Sequence, residues 1–102
     1  MALKMYGIVR KFPKEEMFGL ISQIKRASTS IPLNVAEGYG KRESPEEFKR
    51  FLLMAIGSCD EMRVLIDLSK DLGFISSFEH RECEKEYIEI GKMLTGLRRK
   101  WH

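Results

Sequence analysis

The sequence has little of the residues on which several classes of protein depend. It contains two cysteines, two histidines, three prolines and eight glycines among 102 residues. Two cysteines are too few for a disulfide framework, and so few prolines and glycines do not suit a small β-sandwich, which turns about every eight to twelve residues. No apolar run approaches the roughly 18–20 residues of a membrane span, and the N-terminus lacks the layout of a signal peptide. We therefore expect a reduced, cytoplasmic protein that does not associate with a membrane.

The composition is that of one soluble globular domain. Hydrophobic residues make up 43% and charged residues 32% of the chain, and a chain of this length has room for one hydrophobic core. We therefore take residues 1–102 as a single domain. The net charge of +3 conceals a change of sign along the chain, since residues 1–42 carry 8 basic and 3 acidic side chains whereas residues 43–97 carry 7 and 12.

Apolar residues recur at alternating intervals of three and four, which predicts four helices. Their expected bounds are about 2–12, 14–37, 45–72 and 77–100. Ser44 and Ser76 each start a capping-box pattern, Pro13 ends the first helix, and Gly38 and Gly40 suit a left-handed cap on the second. The short loops place consecutive helices side by side in opposite directions. The sequence thus predicts an all-α fold, an antiparallel up-down-up-down four-helix bundle with a short first helix.

The third predicted helix contains a continuous apolar run, from Phe51 to Ile56. At 100° per residue this run goes all the way round the helix, so it cannot face a single core. We interpret Phe51, Leu53 and Met54 as part of an interface between identical subunits. The alternative is a locally apolar surface on a monomer, since scattered exposed leucines are common in soluble proteins.

The segment Ser30–Gly38 reads Ser-Ile-Pro-Leu-Asn-Val-Ala-Glu-Gly, and further matching residues run in order from about Lys11 to Phe74. This pattern resembles the four-helix-bundle proteins encoded in intervening sequences of bacterial large-subunit ribosomal RNA genes. The accessory variability determinants of diversity-generating retroelements are relatives of that family. The resemblance implies a bundle that assembles into a ring, typically a homopentamer. Through the retroelement relatives it also implies a basic surface that binds nucleic acid and a reverse transcriptase, without catalysis.

Ser30, Asn34 and Glu37 lie on one face of the second predicted helix. They form either a ligand or catalytic site built on Glu37, or a hydrogen-bond network that fixes this helix against the third. We favour the network, because no histidine, lysine–carboxylate pair or nucleophile at a suitable spacing accompanies Glu37. His80 and Cys83 share a helix face, but it is the inner apolar face and no second pair of metal ligands exists. We therefore expect no enzyme activity, no cofactor and no metal site.

Basic residues gather at one end of the predicted bundle, where the second loop meets the start of the third helix, the end of the fourth and the start of the first. The candidate nucleic-acid contacts are Lys41, Arg42, Lys49, Arg50, Arg98, Arg99 and Lys100, with Lys4 expected at the same end. In a ring of subunits this end forms a positive collar, the electrostatic signature of a phosphate-backbone binder. Tyr39 and Trp101 near it are placed to stack on bases. We expect an oligomeric, non-enzymatic adaptor for RNA or DNA; the alternative is an oligomeric scaffold for another protein, without nucleic-acid binding.

Overall fold

A computed structural model describes residues 1–13 and 18–102 of the chain. This part consists of four helices: α1 (Ala2–Val9), α2 (Phe18–Gly40), α3 (Pro45–Asp71) and α4 (Ser77–Lys100). The four predicted helices and the all-α class are confirmed, and the residues described contain no strand. None of these helices combines the length and the apolar character that crossing a membrane requires.

Two predicted helix ends differ from the observed ones, and the predicted start of the second helix at Lys14 lies outside the described residues. The first helix ends at Val9 rather than Phe12, and the chain then turns, with the Phe12 N–H donating to the Val9 carbonyl at 3.0 Å. The second helix runs through to Gly40, and the left-handed cap predicted at Gly38 and Gly40 is wrong. In the described ranges only Gly73 has a positive φ, 80°.

The physical reason for glycine at position 38 is close packing between α2 and α3. A Cβ atom at Gly38 would lie 2.7 Å from the Cβ of Phe51 and 2.9 Å from the ring of Phe48. Such distances are well inside carbon–carbon contact, so only glycine lets the two helices approach this closely. The turn that follows is closed by short-range bonds, including one of 3.0 Å from the Lys41 N–H to the Gly38 carbonyl.

The two predicted capping boxes are not equally complete. At the start of α4, Ser76 and Glu79 each accept a hydrogen bond of 3.0 Å from the other's backbone N–H. At the start of α3, the Ser44 hydroxyl accepts from the Glu47 N–H at 3.3 Å, but the Glu47 carboxylate binds Arg50 at 2.8 Å instead of returning to Ser44. The α3 box is therefore only half formed.

The core lies between α2, α3 and α4, and α1 covers one part of it. Its fully buried side chains include Met5, Ile24, Leu52, Met62 and Tyr87. Residues with higher numbers on α2 contact residues with lower numbers on α3. Arg26 pairs with Glu61, Ser30 with Ser58, and Gly38 meets Phe51. The same holds for α3 and α4, where Phe48 meets Trp101 and Asp67 meets His80.

The short first helix does not reach the end of the bundle. Lys4 binds Glu86 in the middle of α4, Met5 lies against Cys83, and the ring of Phe12 packs on Phe74 with centroids 5.3 Å apart. A cavity of about 180 Å³ lies beside Met1, between the start of α1, α2 and α4.

Candidate nucleic-acid interface

Three aromatic rings tie together the ends of α2, α3 and α4. Phe48 is buried, with the Trp101 ring edge-on at a centroid distance of 4.6 Å and the Tyr39 ring edge-on at 6.2 Å. This cluster brings the α2–α3 turn, the first turns of α3 and the last turn of α4 to one end of the molecule. The seven basic residues expected there are carried by these segments, and we call them the basic end: Lys41, Arg42, Lys49, Arg50, Arg98, Arg99 and Lys100.

Three cations of the basic end are engaged within the chain. Arg50 pairs with Glu47 at 2.8 Å and lies over the Phe51 ring, 4.6 Å from its centroid. This ion pair lowers the pKa of the Glu47 carboxyl and raises that of Arg50. Lys41 lies 3.5 Å from Glu37, and the guanidinium of Arg42 stacks 4.2 Å from the centroid of Tyr39. A polyanion at these positions competes with bonds that already exist.

The other four cations have no carboxylate within ion-pair distance among the residues that the structure describes. They are Lys49, Arg98, Arg99 and Lys100. The Nε of Arg98 is buried and has no acceptor in the same residues. The positive charge available to a partner is therefore concentrated in the last turn of α4 and beside it in the first turns of α3.

Lys4 does not belong to this end, contrary to expectation. Its ammonium group lies 2.9 Å from the Glu86 carboxylate, and this hydrogen bond raises the pKa of Lys4. The reason is where α1 docks. Met1 and Ala2 line a cavity with Pro32 of α2 and Ile90 of α4, so Lys4 lies beside the middle of α4.

A groove between α3 and α4 continues from the basic end and was not anticipated from the sequence. Its volume is about 430 Å³, and three cations line it: Arg63 from α3, and Lys92 and Arg99 from α4. Asp60 is the single carboxylate in the lining. Gly91 and Gly96 leave space beside these cations, since a Cβ atom at either would meet nothing within 4 Å. We call this feature the basic groove.

The sequence does contain a regularity that predicts the basic groove. Lys85, Lys92 and Arg99 recur every seven residues on α4, and two helical turns return each to nearly the same face. On α3, Lys49 and Arg63 are separated by two such intervals. Of these five cations, Arg63, Lys92 and Arg99 line the basic groove. They come together only when α3 and α4 lie side by side, so they do not form a cluster in the sequence.

The predicted polar network forms in part. The Asn34 amide donates to the Ser30 carbonyl at 2.8 Å, and the Ser30 and Ser58 hydroxyls are 2.5 Å apart, which links α2 to α3. Glu37 lies outside this network, because its exposed carboxylate pairs with Lys41 one turn later. A second link between the two helices is the ion pair of Arg26 on α2 with Glu61 on α3.

The three residues expected at a subunit interface differ in exposure. Phe51 is buried within the chain, beneath Lys41 and Arg50, whereas Leu53 is 51% and Met54 39% exposed. Two further apolar side chains on α3 are exposed, Val64 at 66% and Leu68 at 44%. At 100° per residue Leu53, Val64 and Leu68 share one face, opposite the buried face of α3. We call these three residues the apolar stripe.

The fold and this surface define a class of small all-helical proteins with a long apolar helix face and a basic end. A family model described as 23S rRNA-intervening sequence protein matches residues 1–96. The chain belongs to this family, and the resemblance carried by Ser30–Gly38 is thereby confirmed. A search of curated proteins finds no match to the chain.

Proposed function

We propose that this protein is a cytoplasmic, non-enzymatic, oligomeric adaptor that binds the phosphate backbone of RNA or DNA through the basic end and the basic groove. The observation that carries the proposal is the alignment of Arg63, Lys92 and Arg99 along one groove that opens at the basic end. These cations form a row along the groove and are not scattered over the surface. A row of cations suits a polyanion better than it suits a small ligand.

The up-down-up-down antiparallel arrangement of the bundle is part of this proposal. The opposed order of contacts between α2 and α3, and between α3 and α4, supports it. In this arrangement Lys49 at the start of α3 lies beside Arg99 at the end of α4. The two cationic rows then face each other across the basic groove.

The cations of the basic groove are spaced for a short length of phosphate backbone. Lys92 and Arg99, the two α4 cations that line the groove, lie about 10 Å apart along the helix at 1.5 Å per residue. A backbone segment of a few nucleotides is therefore long enough to contact both. Contacts to phosphates carry no sequence information, so binding is expected to be independent of base sequence. Tyr39, which is 53% exposed, offers a ring for stacking.

Oligomerisation is supported by the apolar stripe. Leu53, Val64 and Leu68 extend over about 22 Å of α3 on the face away from the core. Burial of this stripe by a second subunit would stabilise the oligomer by about 25 cal/mol for each Å² of apolar surface removed from water. The homopentameric ring implied by the resemblance would repeat the basic end around one axis and raise the local density of positive charge. Light scattering tests this step, because a mass near that of one 11.9 kDa chain at micromolar concentration contradicts it.

The nucleic-acid proposal is tested with two double variants that remove equal charge. Lys92→Gln with Arg99→Gln removes two cations of the basic groove, and Arg10→Gln with Lys25→Gln removes two cations that line a groove of about 440 Å³ beside α1. We expect the first pair to weaken binding of a labelled single-stranded RNA by about tenfold or more at low salt and the second to change it little. Equal losses from both pairs, or no binding by the unmodified protein, would overturn the proposal.

A second candidate function, a scaffold for another protein such as a reverse transcriptase, is favoured by the exposure of the apolar stripe. Such a complex would survive high salt, because its stability comes from apolar burial. It would be lost when Leu53 becomes charged and retained in the Lys92 and Arg99 variant. The opposite pattern supports the nucleic-acid adaptor.

A further inference from the structure

Three side chains of metal-ligand type converge where the end of α3 lies beside the start of α4. They are Asp67 on α3, and His80 and Glu84 on α4. The Nε2 atom of His80 lies 2.6 Å from Oδ1 of Asp67 and 3.4 Å from Oε2 of Glu84. The His80 side chain is 15% exposed and that of Glu84 33%, whereas Asp67 remains accessible at 58%.

The three positions are fixed by helical structure. His80 and Glu84 are one turn apart on α4, and the backbone N–H of His80 closes the first turn on the Ser76 carbonyl at 2.9 Å. The complete capping box of Ser76 and Glu79 holds that turn in place. Ligands carried by two helices are held more precisely than ligands carried by loops.

The charges in this cluster are not balanced. Two carboxylates approach the same imidazole nitrogen, and no lysine or arginine in residues 1–13 and 18–102 lies within ion-pair distance of Asp67 or Glu84. Two carboxylates close together without a lysine or arginine partner favour the binding of a cation.

We propose that Asp67, His80 and Glu84 form a binding site for a divalent first-row metal ion of the Zn²⁺ type. One imidazole nitrogen and two carboxylate oxygens are ligands that Zn²⁺ accepts, at about 2.0–2.2 Å, with solvent in the remaining position. Ligand atoms of a tetrahedral site at these distances are about 3.3 Å apart. The separation of Nε2 from Glu84 already has this value, and Asp67 must withdraw by about 0.7 Å, which its exposure permits.

The chemistry of the site disfavours the alkaline-earth ions. Ca²⁺ and Mg²⁺ prefer all-oxygen surroundings, whereas a nitrogen ligand favours Zn²⁺ and its neighbours. The bound ion cross-links α3 to α4 at the end of the bundle opposite the basic end, and the site does not depend on the proposed function.

The expectation of no metal site rested on His80 and Cys83 lying on the inner apolar face and on the absence of a second pair of ligands. Cys83 does lie on that face: it is buried, and its sulfur faces Met5 at 3.9 Å. The actual neighbours of His80 are a carboxylate one turn later and another from α3. The i,i+4 spacing of His80 and Glu84 was visible in the sequence, but the contribution of Asp67 depends on helix packing.

The site is tested by titrating the metal-free protein with Co²⁺, whose visible absorption reports coordination, and with Zn²⁺ by calorimetry. We expect one ion per chain and a rise in the thermal unfolding midpoint with Zn²⁺. His80→Ala and Glu84→Gln should each lower the affinity by about tenfold or more. His102→Ala, which removes the other histidine of the chain, is the matched control and should leave the affinity unchanged.

Two outcomes would overturn the proposal. One is the absence of both Co²⁺ absorption and heat of Zn²⁺ binding at micromolar protein. The other is an affinity that His80→Ala and His102→Ala reduce equally. Glu84→Gln keeps the side-chain volume and should therefore not disturb the fold. Its effect on metal affinity tests the site even if circular dichroism shows that His80→Ala has lost helical structure.

Discussion

Replacing Gly38 by alanine tests the packing that fixes the basic end. The new Cβ atom would lie 2.7 Å from the Cβ of Phe51, whereas carbon atoms in contact lie about 3.5–4.0 Å apart. The Phe51 Cβ is attached to the backbone and cannot move aside by rotation, so α2 and α3 must separate by about 0.8 Å. Overpacking of this kind costs about 1–3 kcal/mol, and the greater helix propensity of alanine returns at most about 1 kcal/mol.

We expect Gly38→Ala to lower the free energy of unfolding by about 1–2 kcal/mol. Gly91→Ala is the matched control, since a Cβ atom at Gly91 meets nothing within 4 Å and should raise the free energy of unfolding by about 0.5–1 kcal/mol. The measurement is urea unfolding followed by circular dichroism at equal protein concentration. If Gly38→Ala is as stable as Gly91→Ala, the close approach of α2 and α3 at this position is refuted.

Three further predictions concern groups whose surroundings the structure defines. The buried Tyr87 hydroxyl has no hydrogen-bond partner among the described residues, so Tyr87→Phe should leave the free energy of unfolding unchanged or raise it by up to about 1 kcal/mol. If thermal or urea unfolding shows instead that Tyr87→Phe lowers the free energy of unfolding by more than about 1 kcal/mol, the hydroxyl is hydrogen-bonded and the prediction is wrong. Burial raises the pKa of Cys59 to about 11 and also raises the pKa of Cys83. At pH 8 both thiols should therefore react with a disulfide reagent far more slowly in the native than in the denatured protein. A rapid reaction of the native protein would contradict the burial of these thiols. Ser76→Ala should cost about 1 kcal/mol in urea unfolding and Ser44→Ala less, because only Ser76 completes its box; equal costs would contradict the difference.

The helices of this protein could be predicted from the sequence because their signals are local. The apolar spacing of three and four, the serines at positions 44 and 76 and the glycine at position 73 act within one or two turns. The half-formed box at Ser44 shows the limit of such signals. The Glu47 carboxylate can bind either the Ser44 N–H or the Arg50 side chain three residues later, and in the structure it binds Arg50.

The candidate site could be predicted only where one helix carries all of its parts. The cations at positions 98–100 are adjacent, and the structure leaves them at the end of α4 as expected. The basic groove depends on the lateral pairing of α3 and α4, and the place of Lys4 depends on where α1 docks. Glu37 was assigned to the network by its spacing from Asn34, but spacing could not decide between Ser58 across the interface and Lys41 along the helix.

The central claim is that a phosphate backbone lies along the basic groove, and the salt dependence of RNA binding tests it most directly. We predict that the logarithm of the association constant for single-stranded RNA falls linearly with the logarithm of salt concentration. In the Lys92→Gln and Arg99→Gln double variant the slope should be shallower by about 1.4, since each cation that contacts a phosphate of a single strand contributes about 0.7. A slope that is the same in the unmodified protein and the variant, or an affinity that salt does not change, would contradict the claim.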